Sequence, residues 1–146
     1  MGSVSLRWIE GKMMAGTDSN GHSIVIGRSP DNPDEFYGMK PSDLLLLAAA
    51  SCAAYDVIEI LQKQREPMRE LKVICGGEQI PEPPYKFSSI HLHYIVRGEV
   101  NPSRLQKAIC LSEEKYCSVG AMLQKSAQIH ATFEIIPVQV EVGASL

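Results

Sequence analysis

The chain has 146 residues, 45% apolar and 21% charged, which suits one globular domain with a real core. Fourteen Lys and Arg stand against 17 Asp and Glu, a formal charge of −3, and no basic cluster interleaves with aromatics, so no nucleic acid partner is expected. The opening MGSVSLRWIEGK has no long apolar stretch of the signal-peptide kind, and Leu6 stands where a myristoylation signal needs Ser or Thr. The apolar run Leu44–Ala54 is shorter than the roughly 20 residues of a membrane span. No membrane association and a cytoplasmic location are therefore expected. In that compartment the four cysteines, Cys52, Cys75, Cys110 and Cys117, read as thiols or a redox pair and not as structural disulfides.

In chain order, the first 27 residues read as strands and turns. VSLRWIE alternates, with Val4, Leu6 and Trp8 on one side, and a turn at Asn20-Gly21 feeds the strand HSIVI. The polar loop RSPDNPDEFYGMK then delivers the chain to a helix that starts at Pro41, with Asp43 in its first turn, where the helix dipole favours an acid. The pattern carries this helix to Gln64, before Pro67, a length of about 36 Å. Its first half is apolar almost all round, so it belongs to a core. LKVICGGEQI and SSIHLHYIVRG read as strands joined by PEPPY; in the second, Ile90, Leu92, Tyr94 and Val96 share one face, with His91 and His93 on the other, solvated one. Asn101-Pro102 starts a helical stretch to Ala127, one helix or two, with Ser112 and Ser118 as candidate caps and Glu113 and Glu114 as first-turn acids. QIHATFEIIPVQVEV closes the chain as a strand. The order β-β-β-α-β-β-α-α-β does not alternate regularly, which points to an α+β fold in a single domain, residues 1–146.

The cysteines differ in context. Cys75 in a strand and Cys110 on a helix face with Leu105 and Ile109 read as packing. Cys110 and Cys117 would lie about 10 Å apart on a continuous helix, beyond bridging distance unless the helix breaks between them. Cys52 sits among apolar neighbours that raise a thiol pKa unless a cation or hydrogen-bond donor offsets the burial, so packing and reactivity both stand. Cys117 follows the polar SEEKY and falls at a possible helix start, where thiols are acidified. Asp56, one turn beyond Cys52, reads as a structural polar contact or as an acceptor for a base or water; as an anion it disfavours a Cys52 thiolate. The cysteines and histidines are too scattered for a metal site, so no metal is expected. On the residues alone, the chain is an α+β domain with a possible long-range dithiol.

KPSDLLLLAAASCAAYDVIEILQKQR, with Pro41, the apolar run, Cys52 and Asp56, resembles the first cysteine helix of the OsmC/Ohr family, the osmotically inducible and organic hydroperoxide resistance proteins. LSEEKYCSVGAMLQKSAQI resembles that family's second cysteine segment, and HLHYIVRG the strand between them. The likeness runs from about Leu6 to Phe133 and is nearest the OsmC-like subgroup. It implies an intertwined homodimer whose long central helices are wrapped by sheets, with sites at the subunit interface. It implies that Cys52 attacks a peroxide and Cys117 resolves the sulfenic acid to a disulfide, which an external dithiol reduces, with no metal or flavin cofactor. Family members have an early Arg that ionises the first cysteine and a Glu after the helix-start proline that orients it. Here Asp43 stands one residue later than that Glu, and the N-terminal cations are Arg7 and Lys12, so these three, with Asp56, are the candidate supporting groups. The alternative reading is a non-catalytic OsmC-like dimer that binds a small apolar ligand or acts as a redox sensor.

Overall fold

A computed structural model describes residues 2–138. The elements run β1 (Ser5–Glu10), β2 (Met13–Thr17), β3 (Ser23–Gly27), α1 (Pro41–Lys63), β4 (Met68–Gln79), β5 (Phe87–Gly98), α2 (Pro102–Leu111), a π-helical turn (Ser112–Tyr116), α3 (Ser118–Leu123) and β6 (Gln128–Ile136). This is the expected order and an α+β fold. The closing strand ends at Ile136; residues 139–142 of the stretch expected to extend it lie outside the described residues. The chain divides into two compact units, Met1–Leu45 and Leu46–Leu146.

In the first unit β1, β2 and β3 form an antiparallel meander. The β2–β3 turn closes on Asp18, whose carboxylate accepts from the backbone N–H groups of Asn20 (2.9 Å) and His22 (2.8 Å). Gly21 takes the left-handed backbone (φ 88°) that this Asn-Gly turn needs.

In the second unit β4 pairs antiparallel with β5, and β5 pairs parallel with β6. A parallel pair needs a crossover, and α2, the π turn and α3 supply it. The alternation of β5 holds: Ile90, Leu92, Tyr94 and Val96 are buried. His91 and His93 take the other face, where Nε2 of His91 (3.1 Å) and Nδ1 of His93 (2.6 Å) meet the Thr132 hydroxyl. The buried face of β5 packs in one cluster with Ala50, Ala53, Val57 and Leu61 of α1 and Leu105, Ala108 and Ile109 of α2. The α1 positions recur every three or four residues, one helix face. The start of α2 is tied to the chain after α1: the Asn101 side chain caps it (3.2 Å to Arg104 N), and Glu66 accepts from Asn101 N (3.0 Å) and the Arg104 guanidinium (2.9 Å).

By length and composition alone α1 could cross a membrane, with a mean hydropathy of 1.9 over its most apolar window. What speaks for a core helix is that its small residues pack into the cluster just described. Yet Leu47 and Tyr55 on the same helix remain exposed.

Leu61 is fully buried. Leu61→Ala should destabilise the protein by about 2–5 kcal/mol, because the removed methyls leave a cavity that the core fills only partly. Urea unfolding checks this, and a loss below about 1 kcal/mol would place Leu61 outside the core.

Candidate active site

Cys52 lies midway along α1, half-buried, with its side chain against the core cluster that contains Cys117. Sixty-five residues of chain return to it because the α2–α3 stretch is broken. After Leu111 the backbone widens into the π turn, closed by Cys117 N donating to Ser112 O (2.8 Å). Cys117 then leaves helical geometry (φ −75°, ψ 105°) and α3 starts afresh. A turn of this kind re-aims the backbone, which is why π turns recur at functional sites. The helix does break between Cys110 and Cys117, as bridging them would require, but both are free thiols. Cys110 is the acceptor of a 3.5 Å contact from the Gln106 amide, and Cys75 is a half-buried strand residue whose thiol burial pushes up.

Ser112 holds the break in place. Its side chain is fully buried, and its hydroxyl donates to the Asp56 carboxylate at 2.8 Å. Asp56 is thus the structural contact that one sequence reading allowed, linking α1 to the π turn one helical turn after Cys52. Of the two candidate caps, Ser112 is the C-cap of α2, its backbone N–H donating to the carbonyls of Ala108 and Ile109. Ser118 is not a cap: the N-cap of α3 is Cys117, whose sulfur accepts from Gly120 N at 3.2 Å. A Cβ on Gly120 would stand 3.2 Å from that sulfur, so glycine lets Cys117 fold back over its own helix.

Burial pushes the Cys52 thiol up. It is outweighed by hydrogen bonds from the Val119 N–H, the Cys117 thiol, and the hydroxyl and N–H of Ser118, and the net shift is downward. The Ser118 hydroxyl lies 3.8 Å from the Cys52 sulfur. The family likeness implied a cation for this task; here donors of the Cys117–Val119 segment lower the thiol. For Cys117 the expected acidification at a helix start is overturned. Burial pushes it up to about 11, and its hydrogen bond to Cys52 and the charges of Cys52 and Asp56 add to this, against the Gly120 N–H. Of the two thiols Cys52 is the more readily ionised, with Cys117 donating its proton towards it.

The other candidates lie apart in sequence and in role. Arg7 is on β1 opposite Ala15, and Lys12 is in the β1–β2 turn, where its carbonyl accepts from Arg28 N (3.2 Å). Asp43 is exposed in the first turn of α1. All three belong to the first unit. Two residues near the thiols were not singled out from sequence as part of a site. Tyr94 is fully buried, and its hydroxyl has no partner among the described residues; burial, then the charges of Glu113, Cys117 and Asp56, keep it protonated. Glu113, read as a helix-start acid, is in the π turn with one carboxylate oxygen buried. The alternation of β5 marked Tyr94 as inward-facing, but nothing local marked the thiols as its neighbours.

The thiol order is directly measurable. In a Cys75→Ser/Cys110→Ser protein at pH 7–8, iodoacetamide should modify Cys52 well before Cys117, as followed by peptide mass spectrometry. Equal rates, or Cys117 first, would contradict the charge assignment.

Comparison with known proteins agrees with this architecture. The family model described as OsmC-like protein matches residues 31–132. Protein YhfA of Escherichia coli (strain K12) is 36% identical over 133 residues, 90% of this chain and 96% of that protein. The crystal structure of a hypothetical protein from Aquifex aeolicus VF5 superposes with a TM-score of 0.85 at 29% identity, covering 95% of this chain and 98% of the other. The organic hydroperoxide resistance protein OhrB of Bacillus subtilis shares the fold, with a TM-score of 0.65 at 13% identity, 92% of this chain and 98% of that one. The chain belongs to the OsmC-like protein family.

Proposed function

We propose that the protein is a thiol-dependent peroxidase that reduces organic hydroperoxides through a Cys52/Cys117 cycle, in cytoplasmic oxidative-stress defence. Membership of the OsmC-like family supports a redox or peroxide-resistance role in general. The observation that carries the finer reading is the acidified Cys52 thiol held against a second, protonated thiol at the N-cap of α3. The Cys52 thiolate attacks the peroxide O–O bond. The sulfur takes one oxygen as sulfenic acid, and the alkoxide leaves and is protonated to the alcohol. Cys117 then attacks the Cys52 sulfur, the S–O bond breaks, a disulfide forms and water leaves. An external dithiol reduces the disulfide by exchange and is itself oxidised. The half-buried, largely apolar surroundings of Cys52 favour an organic over a small polar peroxide.

The working form is a homodimer in this account. Only 28% of the most apolar window of α1 is buried within the chain, and Leu47, Tyr55 and Ile74 are exposed. A second copy would cover such a surface. Sedimentation at micromolar concentration should give twice the 16.1 kDa chain mass; a stable monomer would contradict this.

Roles follow from the chemistry. With an organic hydroperoxide and a dithiol reductant, Cys52→Ser should abolish peroxide consumption. Cys117→Ser should leave one turnover and accumulate a Cys52 sulfenic acid prone to overoxidation. Cys75→Ser and Cys110→Ser should change stability more than activity. A wild-type protein that forms the disulfide but does not turn over would be a redox sensor. A requirement for Cys75 or Cys110 would overturn the assignment.

A further inference from the structure

Closing the disulfide poses a problem that the two cysteines do not solve alone. Cys117 is buried, and burial pushes its thiol up, which disfavours the attacking thiolate. Once Cys52 is oxidised it no longer holds an anion to share a proton with. A group that accepts the Cys117 proton as the sulfur attacks would speed the step.

Cys117 lines a small cavity of about 60 Å³ whose walls are mainly apolar, among them Ala49, Ala53, Leu92 and Ile129. Glu113 lines the same cavity, four residues earlier in the π turn. Its Oε1 is buried and, among the described residues, has no hydrogen-bond partner. A buried carboxylate oxygen with no donor is costly, and such exceptions in folded proteins ask for an explanation.

We propose that Glu113 is the proton acceptor for Cys117 in the disulfide-closing step. This rests on the peroxidase cycle set out above and adds a third residue to it. The Cys117 S–H proton passes to the Glu113 carboxylate as the Cys117 sulfur bonds to the Cys52 sulfur. The S–O bond of the sulfenic acid breaks, and the departing hydroxide takes the proton from the Glu113 carboxyl and leaves as water. Cys117 is oxidised, Cys52 is reduced from sulfenic acid to disulfide, and Glu113 ends as it began. The cavity is roomy enough to hold the departing water.

Neighbouring groups fit this assignment. Burial and Glu114 raise Glu113, while His130 of β6 opposes them. A raised carboxyl is a better match to a thiol donor than an ordinary one. Asp56 of α1 also acts on Cys117, but its carboxylate is already the acceptor for Ser112. Tyr94 of β5, on which Glu113 and Cys75 of β4 both act, stays protonated and so serves as a donor, not an acceptor.

The test separates this role from the peroxide chemistry. In a Cys75→Ser/Cys110→Ser background, Cys52 is converted to its mixed disulfide with thionitrobenzoate. Attack by Cys117 then releases a coloured thiolate, with no peroxide present. The release rate with Glu113 intact should rise with pH and level off once the carboxyl is ionised. Glu113→Gln should slow it at pH 7 by about 10²-fold or more, with a rate that keeps climbing towards the range of the thiol itself. Glu113→Asp, which keeps the carboxylate, should restore the levelling-off at a reduced rate. A Glu113→Gln protein with the original rate and pH profile would overturn the proposal. So would a Glu113→Asp protein that behaves like Glu113→Gln. Failure of the peroxidase reading would show elsewhere, as a Cys117→Ser protein that yields no dimedone-trapped sulfenic acid with an organic hydroperoxide.

Discussion

The site depends on one hydrogen bond, from the buried Ser112 hydroxyl to the Asp56 carboxylate at 2.8 Å. It joins the middle of α1 to the point where the second helical stretch widens into a π turn. The turn ends in Cys117, whose extended backbone starts α3 with the N–H groups of Ser118 and Val119 directed at Cys52. An uninterrupted α-helix through Ser112–Leu123 would bond those N–H groups to its own carbonyls. The break frees them. A hydrogen bond to a carboxylate contributes about 1.5–3 kcal/mol, and losing the Asp56 carboxylate would leave the buried Ser112 hydroxyl unmet.

The same geometry explains why two cysteines in one apolar setting differ in acidity. Desolvation acts on both and pushes both up. Cys52 receives donors from three consecutive residues, whereas Cys117 receives one, the Gly120 N–H, and gives its own proton to Cys52. A helix start that would ordinarily acidify Cys117 spends its donors on the neighbour instead. The reactive thiol and the resolving thiol are thereby distinguished by hydrogen-bond direction and by the deeper burial of Cys117.

Much of the fold was legible because it follows from period. The alternation Ile90, Leu92, Tyr94, Val96 marks one buried face, and the structure packs it against α1. On α1 the sequence is apolar almost all round, and only the structure singles out Ala50, Ala53, Val57 and Leu61 as the face that packs there. The Asn20-Gly21 turn and the Asn101-Pro102 helix start are local signals, and both appear where expected. The resemblance to a family, and not any spacing, paired Cys52 with Cys117. The acidities could not be read. They depend on where the N–H groups of Ser118 and Val119 point, and that is set by a π turn with no sequence signature distinct from an α-helix. Glu113 was missed for the same reason: SEEKY read as exposed helix-start acids, and the widened turn brings one of them to the cavity beside Cys117.

Cys52 and Cys117 should form a disulfide when a hydroperoxide oxidises the protein. The most direct measurement is peptide mapping of the reduced protein after treatment with one equivalent of an organic hydroperoxide. The expected product is a single linked pair, the peptide carrying Cys52 joined to the peptide carrying Cys117, with Cys75 and Cys110 still free. Recovery of all four cysteines as thiols while the peroxide persists, or a linkage through Cys75 or Cys110, would contradict it.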